Sequence, residues 1–193
     1  MRSLPASFAL ALPVFALPAF VWAAGPLDPY GRAEPDFRPR HQGFFASFAA
    51  GAGSAQLRSN GHGSARESGV DVRLRAGIAI TPQFTLALEG SAWREEEHPG
   101  HSVLGAVTVN GLYYPLRHVA GFLHIGAGPA WFSVAGTDSL DQTHAGVGGT
   151  VGVGYDVAVG GSWAITPEFA ADLGGFDGFS SNVYVLSVAV TRH

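Results

Sequence analysis

The sequence contains no cysteine and no lysine, and only 13% of its 193 residues are charged. Without cysteine there is no disulfide, no thiolate ligand and no thiol nucleophile, so ladders and packing must hold the fold. The charged fraction is about half that of an ordinary soluble domain, too little to cover a folded surface with water-facing groups. There is also no run of ~20 uninterrupted apolar residues, the length a helix needs to cross a bilayer. The best candidate, Phe8 to Phe20, is short and broken by Pro13 and Pro18, which excludes a helical membrane protein. A formal charge of −4 leaves no basic patch of the kind nucleic acid requires.

What is present begins with an export signal. Arg2 supplies charge, Phe8 to Phe20 the apolar core and Val21-Trp22-Ala23 a small-residue cleavage motif, so residues 1–23 are expected to be removed during export. Residues 24–42 contain four prolines and mixed charge without periodicity, which predicts a disordered leader. Residues 43–193 remain, enough for one domain or one small barrel.

That remainder alternates with a period of two. From Val70 to Ile80, Val70, Val72, Leu74, Ala76, Ile78 and Ile80 share one face, and Asp71, Arg73, Arg75, Gly77 and Ala79 the other. Alternation held for about ten residues is what a tilted strand needs to span a bilayer, whereas soluble strands commonly stop at five or six. The same pattern predicts strands over Gly43 to Gly53, from Phe84 to Ser91, Val103 to Tyr113, Gly121 to Ser133 with a bulge at Pro129, His144 to Asp156, and Val183 to Arg192. A further strand is located by an internal echo: Ala164-Ile-Thr-Pro-Glu-Phe matches Ala79-Ile-Thr-Pro-Gln-Phe, and predicts a second use of one Thr-Pro turn. Eight strands result, joined by three short turns and by four longer loops that include Ser54 to Gly69, Arg94 to His101 and Val134 to Thr143.

Eight antiparallel strands close most simply as an up-and-down barrel, membrane-embedded or soluble. If the polar faces were outside, the exterior would be mainly Gly, Ala, Ser and Thr with few charges, against ~25 to 35% charged residues on a soluble surface. With the Val/Leu/Ile faces outside, the lumen of an eight-stranded barrel holds small residues and a few mutually satisfied polar groups. Phe44, Phe84, Tyr113, Trp131, Tyr155, Phe169 and Tyr184 near strand ends then suit interfacial girdles. The fold class expected is therefore all-β, an eight-stranded antiparallel up-and-down transmembrane β-barrel following a cleaved signal peptide. The glycine-rich segment Val147-Gly-Gly-Thr-Val-Gly-Val-Gly-Tyr155, the Leu112-Tyr-Tyr-Pro115 strand end and Ser181-Asn-Val-Tyr-Val-Leu-Ser-Val188 resemble the small outer-membrane barrels of the OmpA-type transmembrane domain and opacity-protein group. The resemblance covers Gly43 to His193 and departs from that family at the end, where an aromatic residue is usual and this chain has Val190-Thr-Arg-His193.

The candidate site is a polar network in the lumen: Asp71, Arg73 and Arg75 beside Glu89, with Glu168 or Asp172 reaching across. Buried charges require partners, so the first reading is a structural plug and the second an ion path. His98-Pro-Gly-His101 beside Glu95-Glu96-Glu97 could offer metal ligands, with His62 or His144, but nothing in the spacing makes them converge. His62-Gly-Ser64 has the His-x-Ser spacing of outer-membrane lipid A deacylases without their strand context, and His124 suits a satisfied interior histidine. No metal and no cofactor is expected. The function expected is a non-enzymatic outer-membrane barrel with a plugged lumen and a structural or surface-interaction role. A lipid A-modifying acyl hydrolase or transferase and a small channel are the alternatives. Expected partners are outer-membrane lipid and lipopolysaccharide, the barrel-assembly machinery and an extracellular partner held by the loops, with no nucleic acid.

Overall fold

The computed structural model describes residues 43–59, 62–64, 66–97, 100–116, 119–136 and 142–193. The expected signal peptide and leader lie outside the described residues. Ten strands follow one another: β1 (Gly43–Ser59), β2 (His62–Gly63), β3 (Glu67–Thr81), β4 (Phe84–Glu97), β5 (Gly100–Tyr113), β6 (Gly121–Gly136), β7 (Gln142–Tyr155), β8 (Val157–Gly160), β9 (Trp163–Phe176) and β10 (Phe179–Arg192). β2 pairs only with the end of β1, and β8 continues β7 along β9, so eight staves make the wall. Every stave is antiparallel to its neighbours, and β10 returns to pair with β1 from Ala46↔Arg192 to Ser59↔Phe179. The sheet is a closed eight-stranded barrel, which leaves no strand edge to aggregate.

The alternation in the sequence becomes the two surfaces of this wall. In β3 the side chains of Asp71, Arg73 and Arg75 are buried while Val72, Leu74 and Ile78 are exposed. In β10, Val183, Val185, Ser187 and Ala189 are buried while Tyr184, Leu186, Val188 and Val190 are exposed. The outside is therefore a continuous band of large apolar side chains, and charge is sequestered within.

Three expectations are corrected. First, the staves run well past the predicted strand ends: β1 continues to Ser59, β4 to Glu97 and β6 to Gly136, and β9 joins β10 through only Asp177 and Gly178. Ladder hydrogen bonds are indifferent to side-chain polarity, so charge-rich Arg94–Glu97 pairs with Val103–Gly100 as regularly as an apolar segment would. Asp-Gly is a hairpin dipeptide, and Gly178 takes the positive φ of 83° that such a turn needs. Second, Pro129 makes no bulge: Ala106↔Ala130 and Val109↔Ala127 keep one register across it. The ring removes a donor, so pairing lapses at Val107 and Thr108 without an inserted residue. Third, the Thr-Pro echo is not a second turn. Thr166 and Pro167 lie within β9, and the chain reverses instead at Gly160 (φ 131°) and Gly161 (φ 56°). Opposite Pro167 the ladder skips Tyr155 and Asp156 and resumes in register at Val157↔Ile165, which is why one stave is split into β7 and β8.

Buried side chains line the lumen in layers. At the end with short turns, Phe45, Ala87, Leu112, Tyr114 and Phe122 form one apolar cluster. At the other, called here the loop end, Ala55, Trp93, Leu104, Phe132, Val183 and Val185 form a second, extended by Phe176 and Phe179. Between them along the same staves come Glu89 on β4, Thr108 and Asn110 on β5, and His124 on β6, all buried. Glycines on β7 make room for these groups. A Cβ at Gly152 would overlap the His124 imidazole and lie 2.6 Å from the Phe169 carbonyl oxygen.

Candidate functional site

The middle layer is built around two arginines that project inward from β3. Arg73 donates from Nε to Asp71 Oδ2 at 2.8 Å and from Nη2 to Asp172 Oδ2 at 2.6 Å, spanning from β3 to β9. Its Nη1 also lies 3.7 Å from Glu89 Oε1. Arg75 donates from Nε to Glu89 Oε2 at 2.6 Å and, through Nη1 and Nη2, to the two oxygens of Glu168 at 3.0 and 2.9 Å. This bidentate fork matches the planar guanidinium to the planar carboxylate, the strongest geometry available to such a pair. Glu89 and Arg75 are held opposite each other by the β3–β4 register, whereas Glu168 comes from across the barrel.

Four carboxylates thus meet two guanidiniums, and each carboxylate has a cationic partner. His124 Nε2 lies 3.2 Å from Glu168 Oε1, near enough for an ion pair but not aligned as a hydrogen bond, and its Nδ1 has no hydrogen-bond partner. The histidine is interior as expected, against Phe122 with ring centroids 6.2 Å apart, with Glu168 beside one ring nitrogen and no protein partner at the other. Asn110 Oδ1, Thr150 Oγ1 and Ser187 Oγ are likewise buried without partners, an arrangement that calls for internal water. A cavity of about 40 Å³ beside Asp71, Asp172, Thr150 and Trp93 is large enough to hold such a water at Thr150.

A second polar chain ties the staves at the turn end. Tyr114 donates to Asp156 Oδ2 at 3.1 Å, Thr166 donates to Asp156 Oδ1 at 2.6 Å, and Thr191 donates to Ser47 at 3.0 Å, with Thr166 and Thr191 hydroxyls 3.3 Å apart. Burial, reinforced by the Asp156 charge, pushes the Tyr114 hydroxyl far above its usual range, so it stays a neutral donor.

No family model and no curated protein matches this sequence. Solved structures do match. Ail, the attachment invasion locus protein of Yersinia pestis, superposes with a TM-score of 0.58 at 11% identity, covering 78% of this chain and 99% of Ail. Neisserial surface protein A superposes with a TM-score of 0.53 at 20% identity, again covering 78% and 99%. The chain has the fold of the small eight-stranded outer-membrane barrels. At these identities the likeness is one of architecture.

Within this outer-membrane-type barrel, the five residues singled out from the sequence, Asp71, Arg73, Arg75, Glu89 and Asp172, fall in one bonded layer. Glu168 belongs to the same layer. Glu168 was expected, with Asp172, to reach across the lumen, whereas Thr166 was obscured by the Thr-Pro echo, which assigned it to a turn. The signal that finds Thr166 is the Gly160-Gly161 dipeptide, after which Ala164, Thr166, Glu168 and Ala170 alternate inward without a break. The other candidates are not brought together. His98 and Pro99 lie outside the described residues, His101 pairs in register with Glu96 at the loop end, and His144 stacks on Phe132 and meets Phe179 edge-on. Ser64 is engaged in a turn, its hydroxyl accepting from the Leu57 amide at 3.1 Å. Among the described residues no group of three or more His, Asp or Glu is placed to hold a metal ion.

Proposed function

We propose that the chain is an exported, non-catalytic barrel of the outer membrane that spans the bilayer with its apolar wall and meets its surroundings through the loop end. One observation carries this reading: large apolar side chains such as Leu74, Ile125, Val147 and Leu186, each more than 60% exposed, ring the outside while the ion pairs are inside. Such a surface is stable only where lipid is the solvent. Residues 1–23 serve as the signal peptide and residues 24–42 as a leader on the periplasmic side. Lipid and lipopolysaccharide then surround the wall, and the barrel-assembly machinery inserts it.

The lumen serves as a strut and not as a path. An ionic layer lies between two apolar layers, and the void of about 40 Å³ beside it is too small for a hydrated ion to pass without breaking buried pairs. His124, the histidine paired with an acid, is sealed inside the wall and out of reach of an acyl chain outside, which speaks against the deacylase alternative. Density-gradient fractionation of envelopes should place the protein with the outer membrane, and planar-bilayer recordings of the purified barrel should show no ion conductance. Inner-membrane or soluble partition would reject the location. Steady unitary currents would reject the occluded lumen.

A further inference from the structure

We infer that the lumen holds one resident cation of the sodium class, in the cavity beside Asp71, Asp172 and Thr150; this rests on the lumen being a strut and adds the ion that completes it. The middle layer brings four carboxylates to two guanidiniums, and among the described residues Arg73 and Arg75 are the only buried arginines. Two negative charges are left over in a region of low dielectric, where unbalanced charge is costly. They fall one to each half of the layer. Glu89, Arg75 and Glu168 have His124 beside them, its Nε2 3.2 Å from Glu168, and imidazole becomes a cation by taking a proton. Asp71, Arg73 and Asp172 have a cavity instead, and among the described residues neither a histidine nor an arginine lines it.

The cavity is furnished to supply the missing charge. Arg73 takes one oxygen of each aspartate in a short bond, Asp71 Oδ2 at 2.8 Å and Asp172 Oδ2 at 2.6 Å, and reaches the Oδ1 atoms only at 3.5 and 3.4 Å. Asp71 Oδ1 and Asp172 Oδ1 thus keep acceptor capacity. Thr150 stands opposite Asp172 in the β7–β9 register, is only 5% exposed and lines the same cavity, and its Oγ1 has no partner. The space persists because Ala106, Ala130 and Gly148, which also line it, are too small to fill it. At about 40 Å³ it takes a cation with one or two waters, since a single water needs ~10–15 Å³. Trp93 lines it too, and its Nε1–H donor has no partner, a role that a water on the ion would fill. Carboxylate and hydroxyl oxygens without imidazole or thiolate select a hard cation, and the single surplus charge in this half of the layer matches a monovalent one. Leu104 and Val183 of the loop-end apolar layer border the cavity and would shield the ion from bulk water.

The test uses the full chain folded into zwitterionic detergent micelles and dialysed to equilibrium against radioactive sodium, with N-methylglucamine as the balancing cation at constant ionic strength. The wild type should retain one sodium per barrel at saturation, and its urea midpoint should rise with sodium but not with N-methylglucamine. Thr150→Val keeps the shape and removes the hydroxyl, and should weaken retention by about tenfold or more. Asp172→Asn should abolish it. Ser187→Ala removes a buried, unpartnered hydroxyl that does not line the cavity, and should leave retention unchanged. Heat-modifiable migration checks that each variant is folded; should Asp172→Asn not fold, Thr150→Val and the comparison of the two cations on wild type decide. Absence of saturable retention by the wild type, or retention unaltered by the cavity variants, would overturn the site. Displacement of the sodium by calcium at far lower concentration would overturn the assignment of a monovalent ion. Planar-bilayer recordings keep the two readings apart: a conducting barrel that retains its sodium rejects the strut alone, and a silent barrel that retains none rejects the site alone.

Discussion

Arg75 holds two buried carboxylates from opposite sides of the barrel, so its loss strands both Glu89 and Glu168 in a medium of low dielectric. Removing one partner from a buried pair costs about 3–5 kcal/mol, far more than the pair contributes over an apolar substitute. Arg75→Met should therefore lower the urea midpoint of the barrel folded in lipid vesicles by an amount equivalent to about 3–5 kcal/mol. An exchange of similar size on the lipid face, such as Leu74→Met, should leave it nearly unchanged. Gly152 makes a second residue-scale prediction. Because any Cβ there meets both the His124 ring and the Phe169 carbonyl, Gly152→Ala should destabilise by about 1–3 kcal/mol, the usual cost of overpacking. The same titration checks it, and a neutral result would show that His124 can swing away. The ionic partners were legible in the sequence because Asp71, Arg73 and Arg75 stand on one parity of one strand. Thr150, beside Asp172 in the β7–β9 register, was not, because a single polar residue among glycines and valines carries no sign of what neighbours it in a lumen.

At the scale of the element, period two alone gave the right faces throughout β3, β7 and β10, since a one-residue slip would move every charge into lipid. Strand ends were a different matter. Arg94 to Glu97 looked like a loop because they are charged, yet they stay in the ladder, where backbone pairing sets the limit. The two proline-containing segments show the same principle in opposite guises. Thr81 caps a true turn, its hydroxyl accepting from the Phe84 amide at 3.0 Å, while Thr166 in the same dipeptide turns inward to bond Asp156. What separates them is Gly160-Gly161 upstream, which provides positive-φ positions five residues before the second Thr-Pro. Pro167→Ala should thus leave the fold intact and change stability by less than about 1 kcal/mol, the net worth of one hydrogen bond. Its new amide should be protected in hydrogen exchange as the gap opposite Tyr155 closes; rapid exchange there would mean that something other than the missing donor splits β7 from β8.

For the molecule as a whole, the account turns on which side of the wall faces lipid. The chain is unusually suited to asking this, because it has no native cysteine to remove before labels are introduced. β10 offers adjacent positions of both kinds: Leu186 and Val188 are exposed outward, Ser187 and Ala189 are buried inward, and none of the four belongs to an ion pair. The decisive measurement is nitroxide accessibility at single cysteines placed at 186, 187, 188 and 189 in the barrel reconstituted in bilayers. Labels at 186 and 188 should collide with oxygen dissolved in the hydrocarbon and stay shielded from a water-soluble nickel complex, while labels at 187 and 189 should be shielded from both. Collision of the 186 and 188 labels with the nickel complex instead would mean that the apolar face meets water, and would contradict the account.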